Sequence, residues 1–324
     1  MLSIEKAQEV IVSELEKLEI PQEPRNLYEP VRYILSNGGK RFRPALVLLG
    51  CDLFGGDYLK AVYPALGIEV FHNFTLLHDD LMDNSTVRRN RPTVHIKWDP
   101  NTAILSGDVM SILASSLINK VDVGALGAVS SLFNRTAIEV CEGQMLDMEY
   151  AQRENVSISE YINMIRLKTS VLIAASLGIG ALVAGAAEKE SESLYNFGLH
   201  LGIAFQLQDD LLDSFGDQNV FGKKIGNDII TNKRTFLLIK AFEKARGTEL
   251  LELQKYFSGE EFDPGEKIDG VLTIFNKLDI RKETETKIGE HHQKALEYLG
   301  ALTVPAERKE VLIGFAKELM KREK

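Results

Sequence analysis

Two copies of one acidic pattern stand out in this chain: Asp79-Asp80-Leu81-Met82-Asp83 and Asp209-Asp210-Leu211-Leu212-Asp213. Each follows an apolar run with helical spacing, Phe71 to His78 before the first and Leu201 to Gln208 before the second. On a helix, the first and fifth residues of such a pattern leave from one face, about 6 Å apart along the axis. Two carboxylates held in that way repel each other unless a hard cation lies between them, and Mg²⁺ takes oxygen ligands of this kind. A pentapeptide of this type is expected about 0.07 times by chance in a chain of this length, so two copies ask for a chemical reason.

Three further segments are basic and break the helical pattern. Asn37 to Pro44 is a turn carrying Lys40, Arg41 and Arg43. Thr86 to Pro92, with Arg88, Arg89 and Arg91, comes directly after the first acidic motif. Phe215 to Asp228 follows the second motif, with Lys233 and Arg234 just beyond it. Solvated loops usually mix their charges, so cations gathered beside acidic motifs suggest a ligand that is itself polyanionic. The acids would hold a metal, and the metal and the cations would hold phosphate. The balance of the whole chain, net charge −9 and pI ≈ 5.4, argues against nucleic acid as that ligand. Two cysteines, Cys51 and Cys141, are too few for a disulfide framework and lie in no metal-spacing motif. Both read as core thiols in a reducing cytoplasm.

Positioning these groups falls to helices. Helical periodicity prevails along the chain, and no stretch alternates with period two between turn signals. Ser157-Ile158-Ser159-Glu160 reads as a capping box. The run Val171–Ala187 approaches the minimum length of a membrane span. Its Gly178, Gly180 and Gly185, in a chain otherwise of soluble character, favour the central rod of a bundle. With no low-complexity linker, residues 1–324 read as one all-α domain. His72 lies on the stripe of Asp79 and Asp83, seven and eleven residues away, which marks it for phosphate rather than for packing. His78 points elsewhere and is better placed for packing.

In combination these segments resemble the trans-isoprenyl diphosphate synthases of the polyprenyl synthetase family. The matching pieces are Gly38 to Pro44, His78 to Asp83 followed by Arg88 to Pro92, Lys168-Thr169, Phe205 to Asp213, and Gly222 to Asp228, in the family's order. The resemblance implies an orthogonal helix bundle around a central cavity, usually homodimeric. It implies an enzyme that joins isopentenyl diphosphate to an allylic diphosphate. By position, Lys40, Arg43, His72 and Arg89 would bind isopentenyl diphosphate. Asp79, Asp83 and Asp209 would hold Mg²⁺, three ions with substrate bound, on the allylic diphosphate. Arg88, Lys168, Lys223 and Lys233 would contact that diphosphate directly, and Thr169 and Gln206 would lie against the developing cation. Asn232 stands where the family commonly has glycine, a departure expected to perturb only the loop backbone.

The chemistry fits the residues. Breaking an allylic C–O bond leaves a carbocation and a highly charged diphosphate, which metal, lysine and arginine stabilise as charge develops. The cation needs a deep, dry cavity between helices. A bulky residue just before the first acidic motif limits product length in this family. Phe74, Thr75 and, one turn deeper, Phe71 therefore point to C15–C20 products. Two residues separate the acid pair from its third aspartate, where many bacterial C15 synthases have four, which favours C20. A medium- or long-chain synthase, or a regulatory subunit of a heteromeric prenyltransferase, is the alternative, although such subunits lose acidic motifs. A terpene cyclase would lack the basic site at Lys40, Arg43 and Arg89. His-Asp phosphohydrolases need no second acidic motif, and a ferritin-like centre needs paired Glu-x-x-His motifs where only Glu69 to His72 fits.

Overall fold

The computed structural model describes residues 1–216, 226–259 and 262–320. Sixteen α-helices form the described chain: α1 Ile4–Glu16, α2 Arg25–Leu35, α3 Phe42–Leu53, α4 Val62–Met82, α5 Val94–Lys97, α6 Pro100–Ile118, α7 Val123–Gln152, α8 Ile158–Ile165, α9 Val171–Val183, α10 Glu188–Phe215, α11 Asn227–Ile230, α12 Phe236–Lys244, α13 Gly247–Tyr256, α14 Pro264–Lys277, α15 Ile280–Gly300 and α16 Ala306–Met320. A 3-10 turn, Tyr58–Ala61, leads into α4, and a π-helical turn, Arg166–Ser170, joins α8 to α9. The all-α fold is the one expected. Among the described residues the exception is a two-residue ladder, β1 Val87–Arg88 against β2 Arg91–Pro92. Its loop residues Arg89 and Asn90 both have positive φ, 51° and 60°, as a type I′ hairpin requires. Periodicity cannot reveal strands so short.

Side chains cap the start of five of these helices. Ser3 accepts from Lys6 N, Asp99 from Thr102 N, Thr235 from Leu238 N, and Asp263 from Gly265 N and Glu266 N. The capping box at Ser157 is complete, with Glu160 reaching back to the Ser157 amide. Each such cap is worth about 1 kcal/mol.

The chain divides into two compact units. One comprises Met1–Arg135, Ala175–Tyr195 and Thr303–Val311. The other comprises Thr136–Ala174, Asn196–Leu302 and Leu312–Lys324. In the first, α3 is buried from Pro44 to Cys51, and α4 packs along α6. Glycine is needed at position 180, because a Cβ there would come within 2.1 Å of the Val47 carbonyl oxygen on α3. The helical stretch Ile158–Val183, long and apolar enough to span a bilayer, has 78% of its most apolar window buried inside the protein. Its residues are core, as the glycines suggested. The helix stops at Val183, short of the expected Ala187, and Gly185 turns the chain with φ +75°. The core of the second unit is built on Tyr161, Leu207, Leu211, Leu237, Val271 and Phe275.

The two cysteines differ. Cys51 is buried, and burial is the first cause pushing its thiol up to about 12. Cys141 is exposed on α7, not in the core. It shares a solvent-facing stripe with Ile138, Met145 and Met148, so its apolar surroundings in sequence did not mean burial.

Candidate active site

In the first unit, α4 carries the acidic motif at its C-terminus. Asp83 N still bonds Asp79 O at 2.9 Å, so the helical turn linking the two outer aspartates is intact. Asp79 is partly exposed and Asp83 exposed, while Asp80 is buried. Arg88 grips Asp80 through Nε, at 2.7 and 2.8 Å from the two carboxylate oxygens. Its Nη2 lies 3.6 Å from Asp79. The β1–β2 hairpin thereby fixes Arg88 beside the motif, where it would keep two donors for a phosphate.

A cluster of cations lies on the same unit. Arg43 Nη1 is 3.3 Å from His72 Nε2, and its Nε is buried with no hydrogen-bond partner. Burial lowers Arg43 to about 10, and burial followed by Arg43, Arg89, Arg88 and Arg41 holds His72 well below its ordinary value. A neutral imidazole among arginines presents a hydrogen-bond donor or acceptor without adding repulsion. Arg89 donates to the Gly38 and Asn37 carbonyls, and its own pKa is lowered by burial and by Arg41. Lys40 is exposed, and its carbonyl accepts from Gln8. Arg41 and Arg89 both hold left-handed backbone, φ 46° and 51°, which costs a non-glycine residue about 1–2 kcal/mol and persists where surrounding structure enforces it.

Arg41 had no assigned role in the sequence, yet it anchors this cluster. It forms a buried ion pair with Glu69 and donates to the Leu35 and Asn37 carbonyls. Its only signal was an acid, Glu69, inside an otherwise apolar run. Below the acidic motif, Phe71, Phe74 and Phe133 form a chain of ring contacts at 5.5 and 5.3 Å, with Phe71 buried. Phe133 was not anticipated, since it lies on a different helix. Thr75 bonds back to the His72 carbonyl at 2.8 Å. His78 packs, as expected, edge-on to Phe74 and against the Ile104 carbonyl.

The second unit repeats the division of labour seen at Asp79–Asp83. Asp209 is exposed and Asp210 buried. Tyr161 donates its hydroxyl to Asp210 Oδ2, and Gln206 Nε2 donates to Oδ1 at 2.9 Å. Gln206 in turn accepts from the Thr169 hydroxyl at 3.0 Å. Asp213 accepts from the Asp228 amide at 2.9 Å, tying the motif to α11. Burial, then the Asp228 charge, pushes Asp213 up to about 6. Lys168 and Thr169 sit in the π-helical turn, and such turns often mark functional sites. Lys168 Nζ donates to Asp147 at 2.6 Å, a carboxylate the sequence did not single out.

Lys233 lies 3.8 Å from Asp228. Burial works against its charge, but Asp228, Asp210, Asp147 and Asp209 together outweigh burial and raise its pKa. Asn232 takes φ 58° and accepts from Lys267 Nζ at 2.5 Å. The family's glycine position thus needs left-handed backbone here, which asparagine tolerates. Lys223 lies outside the described residues.

The chain matches the family model described as polyprenyl synthetase over residues 24–274. It belongs to the polyprenyl synthetase family. Geranylgeranyl pyrophosphate synthase of Geoglobus acetivorans is 42% identical over 255 residues, 78% of this chain and 79% of the relative. A crystallised geranylgeranyl pyrophosphate synthase has TM-score 0.95 and 42% identity, covering 100% of both chains. A polyprenyl synthase of Caulobacter crescentus, crystallised with calcium and isoprenyl diphosphate, has TM-score 0.87 and 26% identity, with 99% of this chain and 97% of that one covered. Membership in this family makes the protein an isoprenyl diphosphate synthase of the trans type.

The donor set suits a hard cation. Asp79 and Asp83 in the first unit, and Asp209 in the second, carry carboxylate oxygens of the kind such a cation takes, while Asp80 and Asp210 are already engaged by protein donors. Among the described residues no three carboxylate, histidine or cysteine side chains converge as a ready-made metal cage. Mg²⁺ binds through one or two carboxylates and completes its shell with water and substrate phosphate.

Proposed function

We propose that the chain condenses isopentenyl diphosphate with allylic diphosphates to a C20 product, with Asp79, Asp83 and Asp209 holding three Mg²⁺ ions on the allylic diphosphate. One observation carries this reading. Each acidic motif has its middle carboxylate locked by protein donors, and its leading carboxylate is the more exposed and lies near a cation, Asp79 at 3.6 Å from Arg88 and Asp209 within electrostatic reach of Lys233. When bound, the ions would offset charge building on the departing diphosphate.

Arg88, Lys168, Lys223 and Lys233 would bind the same leaving group. Arg43, Arg89 and Lys40, with neutral His72 beside them, would hold isopentenyl diphosphate. Thr169 and Gln206 would face the allylic cation. The alkene then attacks that cation, and the condensed cation loses a proton to the departed diphosphate. Burial of Phe71 and Phe133 supports an apolar wall that excludes water from part of this sequence.

The deciding experiment supplies purified protein with Mg²⁺, isopentenyl diphosphate and each of the C5, C10 and C15 allylic primers. Chain elongation to C20, lost on chelation with EDTA and restored by Mg²⁺, is the expected result. No product from any primer would instead favour a regulatory subunit. In the same assay Phe74→Ala should shift products beyond C20, because removing the ring opens space under the acidic motif; unchanged chain length would take Phe74 out of the floor.

A homodimer accords with two apolar surfaces, each described within one unit. On α6, Leu105 and Ile112 are 59% and 69% exposed. On the second half of α7, Ile138 and Met145 are 61% and 56% exposed. Stripes at spacings of seven residues suit a facing helix. Light scattering should therefore return twice the chain's mass; a monomer would refute this. We read both units as one polyprenyl synthetase domain, since the family match runs through both, and place the protein in the cytoplasm on its cysteine usage.

A further inference from the structure

We infer that Tyr161 and Asp210 are positioning residues that set the direction of a hydrogen-bond chain ending at Thr169, so that the threonine oxygen offers lone pairs, and no proton, to the carbocation. This rests on the prenyl-transfer reading above. Tyr161 is 1% exposed, and its hydroxyl donates to Asp210 Oδ2. The other oxygen, Oδ1, receives Gln206 Nε2 at 2.9 Å. Gln206 Oε1 then accepts from Thr169 Oγ1 at 3.0 Å.

The order of donors in this chain is not arbitrary. A glutamine amide can be turned either way, and its neighbours decide. Were Gln206 reversed, its carbonyl oxygen would meet the Asp210 carboxylate, two acceptors with no proton between them. With the amide as found, Gln206 offers Thr169 only an acceptor. The threonine hydroxyl must spend its single proton there, and its remaining valence is two lone pairs. A reversed amide would donate to Thr169 and leave the hydroxyl proton pointing outward, the wrong sign for a cation. Tyr161 matters because it holds Asp210 in place without competing for Gln206. The two donors occupy different carboxylate oxygens.

The test measures steady-state kinetics of Tyr161→Phe, Thr169→Val and the double variant with Mg²⁺, isopentenyl diphosphate and an allylic primer. Tyr161→Phe should lower kcat about 10-fold, the scale of one hydrogen bond to a charged group. KM for both substrates and the Mg²⁺ half-saturation should stay within about twofold, as expected for an interaction made only in the transition state. In the Thr169→Val background the same change should have no further effect, because the chain then ends in nothing. Full activity in Tyr161→Phe, or an equal loss with and without the Thr169 hydroxyl, overturns the inference. A wild-type protein that fails to elongate any primer overturns the prenyl-transfer reading and this inference with it. Should Tyr161→Phe fail to fold, Asp210→Asn reads the chain from its other end. An amide there can donate to Gln206 and turn it, so kcat should fall about 100-fold, and unchanged kcat would likewise overturn the inference. An Asp210→Asn loss appearing only in Mg²⁺ half-saturation would mean that Asp210 serves its metal-binding neighbour and not Thr169.

Discussion

Asp79→Ala is expected to lower kcat by about 10³–10⁴ while leaving the fold in place. Metal ligation stabilises developing charge by several kcal/mol, and each 1.36 kcal/mol is a factor of ten in rate. The fold should survive because the residue that anchors the motif is its neighbour. Asp80 is 3% exposed and takes both short contacts from Arg88, whereas Asp79 lies at 3.6 Å from the same guanidinium. Loss of a partly exposed carboxylate should change stability by no more than about 0.5 kcal/mol, a shift of about 1–2 °C in melting temperature for a chain this large. Asp80→Ala is the contrasting case. It takes from the partly buried Arg88 its two closest contacts and empties a buried position, and should destabilise the protein by more than Asp79→Ala does. Kinetics and thermal unfolding on the two variants separate the roles. Near-normal turnover in Asp79→Ala would contradict the metal assignment, and a large loss of stability in it would mean the aspartate is structural.

That contrast also shows what one sequence can and cannot reveal. The two pentapeptides, their helical phase and the nearby cations announce a metal and a polyanion, because side-chain types at fixed spacing determine what a helix face can bind. The helices themselves were legible for the same reason. Partnerships across elements were not. Nothing in Asp79-Asp80-Leu81-Met82-Asp83 says that the middle acid goes inward to Arg88, nor does Asp209-Asp210-Leu211-Leu212-Asp213 point to Tyr161, forty-nine residues away. Asp147 under Lys168 and Phe133 beside Phe71 were missed on the same ground, since each is brought in by tertiary packing. Cys141 failed differently: an apolar stripe on α7 gave no sign of whether protein or solvent faces it. The π-helical turn at Lys168-Thr169 has a local partner in the Ser170 hydroxyl, which bonds the Ile165 carbonyl five residues back. Helix periodicity alone reads that turn as ordinary α-helix.

Glu69→Ala should be among the most destabilising single changes available in the first unit. The side chains of Glu69 and Arg41 are 3% and 8% exposed, so removing the acid strands a guanidinium that water cannot reach. Breaking a buried pair in this way costs about 3–5 kcal/mol. Three features make the upper part of that range the better expectation. Asn73 Nδ2 also donates to Glu69 Oε1 at 2.8 Å and loses that acceptor, keeping only the Glu69 carbonyl at 2.8 Å. Arg43 and Arg89 feel the Glu69 charge as a stabilising one, so its removal leaves a more repulsive cation cluster. Arg41 also sits in left-handed backbone as the residue preceding α3, and its pair with Glu69 helps hold that conformation. Glu69→Gln keeps an acceptor for Asn73 and Arg41 and should lose less. Denaturant unfolding, fitted without assuming a single transition for a two-unit chain, measures both. Inorganic diphosphate offers an internal check, because an anion bound among these arginines would replace part of the missing negative charge and stabilise by RT ln(1 + [L]/Kd). The rescue should be larger in Glu69→Ala than in the parent protein. A loss below about 1 kcal/mol, the scale of an exposed ion pair, would mean that solvent reaches Arg41 and that the cluster does not depend on Glu69 to hold it together.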